Sequence, residues 1–188
     1  MDSYECWRHL LQDVRRKQGK EPVSRELFDA AWGQGPEADQ SMFFPGWTLS
    51  QVLQYYDSTF LRYAQWVRAE PEAQYVLKTL RQEGRQIAVV SNSTSKIVEG
   101  LLRQTSLYPY VDVCIGANER IRSKPEPDLI LAAMEKMAVG AADVCYIGDS
   151  IFDEQAARAA SVFFIGYKHS GDLSIQRLED LLELAGGN

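Results

Sequence analysis

Apolar side chains recur at two different spacings along the chain, and the change divides it into two parts. In residues 4–68 they recur every three or four positions, which is typical of amphipathic helices. Ser24 is placed to cap a second helix, and Thr48 with Gln51 has the pattern of a capping box before a third. The first part is therefore predicted to be a small helical bundle, with a loop over residues 35–47 where glycine and proline interrupt the pattern.

After Pro71, short apolar runs alternate with helical patterns. The predicted strands are 87–90, 111–115, 144–147 and 161–165, and a closing helix is predicted over 173–185. Because each strand is almost continuously apolar, both of its faces should be buried, as in a parallel sheet covered by helices. The predicted fold is α/β, with the parallel sheet in residues 71–188 and a helical cap-like bundle in residues 1–70.

Composition narrows the classes of partner. The 188 residues carry a net charge of -6, which argues against a nucleic acid or an anionic membrane as partner. The start of the sequence lacks the pattern of a signal peptide, and no apolar run approaches membrane-spanning length, so a soluble, cytoplasmic protein is expected. The three cysteines match neither a disulfide framework nor a zinc pattern.

Polar residues follow each predicted strand at its carboxyl end, where parallel sheets bind ligands. Ser91 and Asn92 follow the first strand and Asp149 follows the third. Lys124 precedes a proline, which restricts its backbone. Asp153, one helical turn after Asp149, is placed either to bind a metal or to hold the lysine. A hydroxyl, a lysine and two carboxylates suitable for Mg²⁺ together predict a phosphate site.

Each of these residues has an ordinary structural explanation when taken singly. Ser91 is typical of a strand-end cap, Lys124 of a solvated surface, and Asp153 of a first helical turn favoured by the helix dipole. The functional interpretation depends on their joint occurrence, in this order, at one predicted edge of the sheet.

Three segments carry a family resemblance. "IAVVSNST", "SKPEPDLILAAM" and "YIGDSIFDEQAARAA" resemble the second, third and fourth signature motifs of the haloacid dehalogenase (HAD) superfamily. Residues 4–68 resemble the helical cap of its phosphoglycolate-phosphatase-like branch. The resemblance implies a HAD-like Rossmannoid fold and a Mg²⁺-dependent phosphatase acting on small phosphomonoesters. It argues against the dehalogenase branch, which does not use Mg²⁺ and usually replaces the first acid of "GDSIFD".

The resemblance also implies roles for single residues. Ser91 would hydrogen-bond the transferring phosphoryl group, Asn92 would help to bind substrate, and Lys124 would neutralise phosphate and nucleophile. Asp149 would bind Mg²⁺, and Asp153 would support the metal or the lysine.

The family's first motif is a central strand that ends in Asp-x-Asp, whose first aspartate is the covalent nucleophile. The sequence contains no Asp-x-Asp. One expectation is that this chain is a truncated or mis-started phosphatase, impaired or inactive as given. Its sheet would then lack a central strand, and exchange of strands between copies of the chain is one way to close it.

The alternative expectation is a non-catalytic HAD-like protein that binds a phosphorylated ligand or a protein partner. Two other α/β classes rank lower. A Rossmann cofactor protein would need a Gly-x-Gly-x-x-Gly turn, and a phosphoacceptor receiver domain has no large helical insertion.

Overall fold

The structure is a computed structural model and describes residues 1–186. The first part comprises α1 (Tyr4–Lys17), α2 (Arg25–Ala31), α3 (Pro36–Phe43), α4 (Leu49–Thr59) and a 3₁₀ segment, Phe60–Trp66. The second part comprises α5 (Ala73–Gln82), β1 (Ala88–Ser91), α6 (Ser95–Gln104), β2 (Val113–Gly116), α7 (Asp128–Met137), β3 (Cys145–Gly148), α8 (Ile151–Ala159), β4 (Phe163–Tyr167), β5 (Leu173–Ile175) and α9 (Asp180–Gly186). None of these helices is long and apolar enough to cross a membrane.

The predicted helix caps of the first part are confirmed. The Ser24 hydroxyl accepts the Leu27 amide at 3.2 Å, and Thr48 and Gln51 exchange two hydrogen bonds of 2.8 and 3.2 Å. The predicted loop over 35–47 is wrong for most of its length, because α3 occupies it. Pro36 stands at the first position of α3, where a missing amide hydrogen removes no helical bond.

The helices of the first part share one continuous core. It contains aromatic residues such as Phe43, Phe44 and Phe60, each at most 1% exposed. The same core includes Ile97 and Leu101 of α6, so the first part is packed directly onto the second. The boundary near residue 70 stays a prediction.

The four predicted strands are confirmed with shifts of one or two residues. The predicted closing helix over 173–185 is wrong at its start, because Leu173–Ile175 pairs in parallel with β4 as a fifth strand. The segment lies at the edge of its sheet, since among residues 1–186 it pairs with β4 alone. Asp180 then accepts the backbone amides of Gln176 and Arg177, and α9 begins only there.

The strands form two parallel sheets rather than one. β1 pairs with β2, and β3, β4 and β5 pair in that order. Among residues 1–186, no strand pairs with both β1 and β3. Val90 of β1 and Tyr146 of β3 nevertheless pack against one buried cluster beneath α7 and α8, so the two sheets are neighbours. No residue of β1 or β3 is fully buried, whereas β2 buries two and β4 buries three.

Candidate active site

Lys124 and Asp153 form a buried ion pair at the carboxyl ends of the strands. Lys124 Nζ donates to Asp153 Oδ1 at 2.6 Å, and the side chains are 12% and 7% exposed. Ser150 caps α8 and accepts the Asp153 amide at 3.3 Å, which orients the first turn. Gly148 permits the close approach, since a Cβ there would lie 2.3 Å from the Asp153 Cβ. Of the two roles predicted for Asp153, the structure shows the contact with the lysine.

Both carboxylate oxygens of Asp153 are occupied. Oδ1 also accepts the Tyr146 hydroxyl at 2.8 Å, and Oδ2 accepts the Ser150 hydroxyl at 2.5 Å. Burial would raise the pKa of Asp153, but the charge and hydrogen bonds of Lys124, with those of Ser150 and Tyr146, hold it below its usual value. Burial also opposes the ammonium, yet Tyr146 and Asp153 raise the pKa of Lys124. The pair is therefore charged at neutral pH.

Tyr146 is a site residue that the sequence analysis missed. It lies inside the apolar run that forms β3, and its hydroxyl contacts Asp153 and, at 3.4 Å, Lys124 Nζ. Burial raises the pKa of this phenol, so it acts as a hydrogen-bond donor to the carboxylate. Tyr146 is half-buried, and the need of its hydroxyl for a partner shows only in the folded structure, so the sequence carried no signal for it.

Ser91 and Asn92, which follow β1, have different environments. The Ser91 hydroxyl oxygen accepts the Ser93 amide at 3.1 Å, so its own hydrogen is still available to donate. The Asn92 amide is used by the protein itself: Nδ2 donates to the carbonyls of Gly33 and Lys124 at 3.1 and 3.0 Å, and Oδ1 accepts the Lys124 amide at 2.7 Å. This geometry supports a positioning role for Asn92, whereas the sequence resemblance implied contact with substrate.

A cavity of about 280 Å³ lies between the helical part and the sheet ends. The predicted residues that line it are Ser91, Asn92, Lys124, Asp149 and Asp153, so the structure brings all five together. Asp149 is exposed to this space and, within residues 1–186, its side chain makes no hydrogen bond or ion pair.

The helical part contributes an acid that the sequence analysis also missed. Asp39 of α3 lines the cavity, and its Oδ2 accepts the Tyr56 hydroxyl at 2.8 Å. Burial raises the pKa of Asp39 to about 6. Trp7 and Trp32 line the same side of the cavity. Asp39 lay in the segment predicted to be a loop, which is why its orientation towards the site was not anticipated.

The charged side chains of the cavity carry one positive and three negative charges, from Lys124 and from Asp39, Asp149 and Asp153. A phosphate dianion would be repelled by this balance unless a cation accompanied it. Asp149 is the one of these carboxylates with no protein partner in the described chain, and no cluster of three metal-ligating side chains occurs there. This donor set fits a Mg²⁺ site in which the ion binds one protein carboxylate and completes its coordination shell with phosphate oxygens and water.

A family model supports the class that the fold and the site indicate. Residues 1–167 match the family described as haloacid dehalogenase-like hydrolase. The chain therefore belongs to the haloacid dehalogenase-like hydrolases.

The curated relatives that the chain resembles include phosphoglycolate phosphatases. It is 32% identical over 114 residues to a phosphoglycolate phosphatase of Nitrosospira multiformis, covering 60% of this chain and 50% of the relative. It is 31% identical over 127 residues to the phosphoglycolate phosphatase of Escherichia coli K12, covering 62% and 50%. The chain thus spans about half the length of the curated relatives that it matches.

Solved structures share the fold over almost the whole chain. CbbY from Rhodobacter sphaeroides in complex with phosphate superposes with a TM-score of 0.83 at 16% identity, covering 96% of this chain and 90% of that chain. A HAD-superfamily hydrolase from Geobacter sulfurreducens superposes with a TM-score of 0.71 at 22% identity, covering 98% and 90%. At these identities the likeness shows the fold alone.

Proposed function

We propose that the cavity binds a small phosphomonoester and that the reaction class of the protein is phosphomonoester hydrolysis. The observation that carries the proposal is the buried Lys124 ammonium, fixed in one cavity with Ser91 and Asp149. Lys124 has three donors, of which Asp153 and Tyr146 take two, so one remains for a phosphate oxygen. A protein of the same fold, CbbY, is known in complex with phosphate, which supports this assignment.

The phosphate would lie against three groups of different character. The Ser91 hydroxyl and the Lys124 ammonium donate to its oxygens, and the Asn92 hydrogen bonds keep the Lys124 backbone in place. Asp149 would hold Mg²⁺ together with phosphate oxygens and water. When bound, Mg²⁺ would supply the positive charge that the cavity lacks.

Hydrolysis in this family, by the resemblance, begins with attack on phosphorus by the first aspartate of Asp-x-Asp. These 188 residues contain no such motif. Asp153 is committed to Lys124, so it is not a free nucleophile. We therefore infer that the chain as given binds the ester without the covalent step.

Calorimetric titration of the 188-residue chain with inorganic phosphate tests the binding. Because the cavity carries net negative charge, we expect Mg²⁺ to tighten phosphate binding by at least about tenfold. The Asp149→Asn variant should lose the Mg²⁺ dependence, whereas Asp143→Asn, which removes an exposed carboxylate outside the cavity, should keep it. Failure of phosphate to bind in the presence of Mg²⁺ would overturn the proposal.

An assay with p-nitrophenyl phosphate and Mg²⁺ tests the missing covalent step. The chain should show no more turnover than its Asp149→Asn variant. Metal-dependent turnover that this variant abolishes would show that one of the 188 residues attacks phosphorus, which would overturn the inference on the nucleophile while supporting the reaction class.

A further inference from the structure

Asp39 places a carboxylate in the wall that the helical part forms along the cavity. The Tyr56 hydroxyl occupies Oδ2, whereas Oδ1 has no hydrogen-bond partner among residues 1–186. Around it, the helical part lines the cavity with the rings of Trp7, Phe28 and Trp32. This wall therefore offers a ligand aromatic surface, the polar groups of Ser3 and Gln34 and, within residues 1–186, one carboxylate.

We propose that Asp39 selects the non-phosphate end of the ligand. The class that it favours is small phosphomonoesters whose other end carries a hydroxyl or ammonium group, and the class that it rejects ends in a carboxylate. The inference rests on the proposed function, because Lys124 and Asp149 must first hold the phosphate end.

Three features of the wall favour a ligand hydroxyl or ammonium group over a ligand carboxylate. A ligand hydroxyl can donate to Asp39 Oδ1, and a bond to an ionised acceptor is stronger than one between neutral groups. A ligand carboxylate would meet Asp39 as a like charge, in a half-buried position where water screens charges less than in bulk. Tyr56 cannot relieve that repulsion, since its hydrogen is committed to Asp39 Oδ2 and burial raises the pKa of its phenol.

The proposed ligand preference of this chain differs from that of relatives whose names give phosphoglycolate as substrate. Phosphoglycolate ends in a carboxylate, so at neutral pH it would bring a negative charge to Asp39. The pocket of this chain would instead suit a phosphorylated alcohol or amine of similar size.

The pH dependence of the selection gives a second readout. Burial raises the pKa of Asp39 to about 6, so the carboxyl is ionised at pH 7.5 and largely protonated at pH 5. Rejection of a carboxylate ligand should therefore fade as the pH falls through 6. The other titratable groups that line this space are the Met1 amino group, Tyr56, Lys124, Asp149 and Asp153, and Glu37 acts on Asp39 from outside the lining. Because these groups also act on a ligand carboxylate, the pH dependence of the affinity ratio is compared between the wild-type chain and Asp39→Asn. The part of the pH dependence that the variant removes belongs to Asp39.

Calorimetry with three probes tests the proposal: inorganic phosphate, glycerol 3-phosphate and phosphoglycolate, each with Mg²⁺ at pH 7.5. We expect glycerol 3-phosphate to bind at least about tenfold more tightly than phosphoglycolate, as the gain or loss of one charged contact implies. Asp39→Asn should bring the two esters to within about threefold of each other, and inorganic phosphate reports the effect of the lost charge that both esters share. Glu21→Gln, which removes an exposed acid of the helical part outside the cavity, should retain the full ratio.

Equal affinities of the wild-type chain for the two esters, with phosphate still bound, would overturn the role of Asp39 alone. A ratio that survives Asp39→Asn or that does not change between pH 7.5 and 5 would do the same. If none of the three probes binds, the proposed function fails and this inference fails with it.

Discussion

The helical part and the sheet part of this protein are held together in different ways. Sixteen buried side chains of the helical part and α6 form one continuous core, whereas the sheet part is divided among clusters of seven, four and three. The sheet itself is also divided, since β1 and β3 have no shared strand among the described residues, and the seven-residue cluster packs against both strands. A core in one piece resists unfolding as a unit, and a divided core opens locally. The site lies between the two, so it combines a rigid wall with a less rigid one.

The largest expected effect tests the continuous core. Phe60 is fully buried and packs on Trp7 with ring centroids 4.5 Å apart. Phe60→Ala should lower the free energy of unfolding by about 3–5 kcal/mol, since it leaves a large cavity. Urea denaturation measures this. Phe163→Ala, at a position 46% exposed in β4, should cost less than about 1 kcal/mol; similar losses for both would contradict the comparison.

The next effect concerns the ion pair where the two parts meet. Lys124→Met should lower the free energy of unfolding by about 3 kcal/mol, because it leaves the Asp153 carboxylate buried without its cation. Lys124→Met combined with Asp153→Asn should recover more than half of that loss, as measured by the same denaturation. The exposed Lys78→Met serves as the control and should change little. If the double variant were no more stable than the single one, the ion pair would not account for the loss.

A smaller effect, of opposite sign, is expected at Asp39. Its folded-state pKa of about 6 lies above the ordinary 3.8, so its charge destabilises the fold at neutral pH. Asp39→Asn should therefore raise the free energy of unfolding at pH 7.5 by about 1–2 kcal/mol. This is less than the full pKa shift of Asp39 would give, because the side chain is partly exposed to solvent. The gain should shrink as the pH falls from 6 towards 4. Melting curves across this range check it, and a gain independent of pH would exclude the titration of Asp39 as its cause.

The smallest effect sharpens the contrast within the sheet part. Among the described residues, β4 is paired on both sides, whereas β1 and β3 are each paired on one. Amides of β1 and β3 should exchange hydrogen about tenfold faster than those of β4, a difference of about 1.4 kcal/mol in opening free energy. Hydrogen exchange followed by NMR measures this, and equal protection would show that the break between the sheets does not weaken its edges.

Much of the fold was predictable because its signals are local. Helical spacing, the caps at Ser24 and Thr48 and the four apolar runs each depend on a few neighbouring residues. The errors came where local signals were ambiguous. Pro36 begins α3 although proline often ends structure, and Leu173–Ile175 is too short to distinguish a strand from the start of a helix.

The site was predictable in part for a different reason. Contact with Lys124 was one of the two roles predicted for Asp153, because a loop lysine and a strand-end acid were expected at one edge of the sheet. Tyr146 and Asp39 were not, since a tyrosine within a strand and an aspartate in an apparent loop carry no local mark of function. Their roles depend on tertiary contacts, with Asp153 in one case and with Tyr56 across the helical part in the other.

Asn92 has a consequence beyond the placement of one loop. A single amide group bonds both to the Gly33 carbonyl of the helical part and to the backbone of Lys124. If the two parts separate and the bond to Gly33 breaks, the Asn92 side chain that orients Lys124 is held less firmly. Each hydrogen bond lost costs about 1 kcal/mol of stability. The width of the entrance and the position of the positive charge are thus mechanically linked, so a ligand that draws the two parts together also steadies the lysine that meets its phosphate.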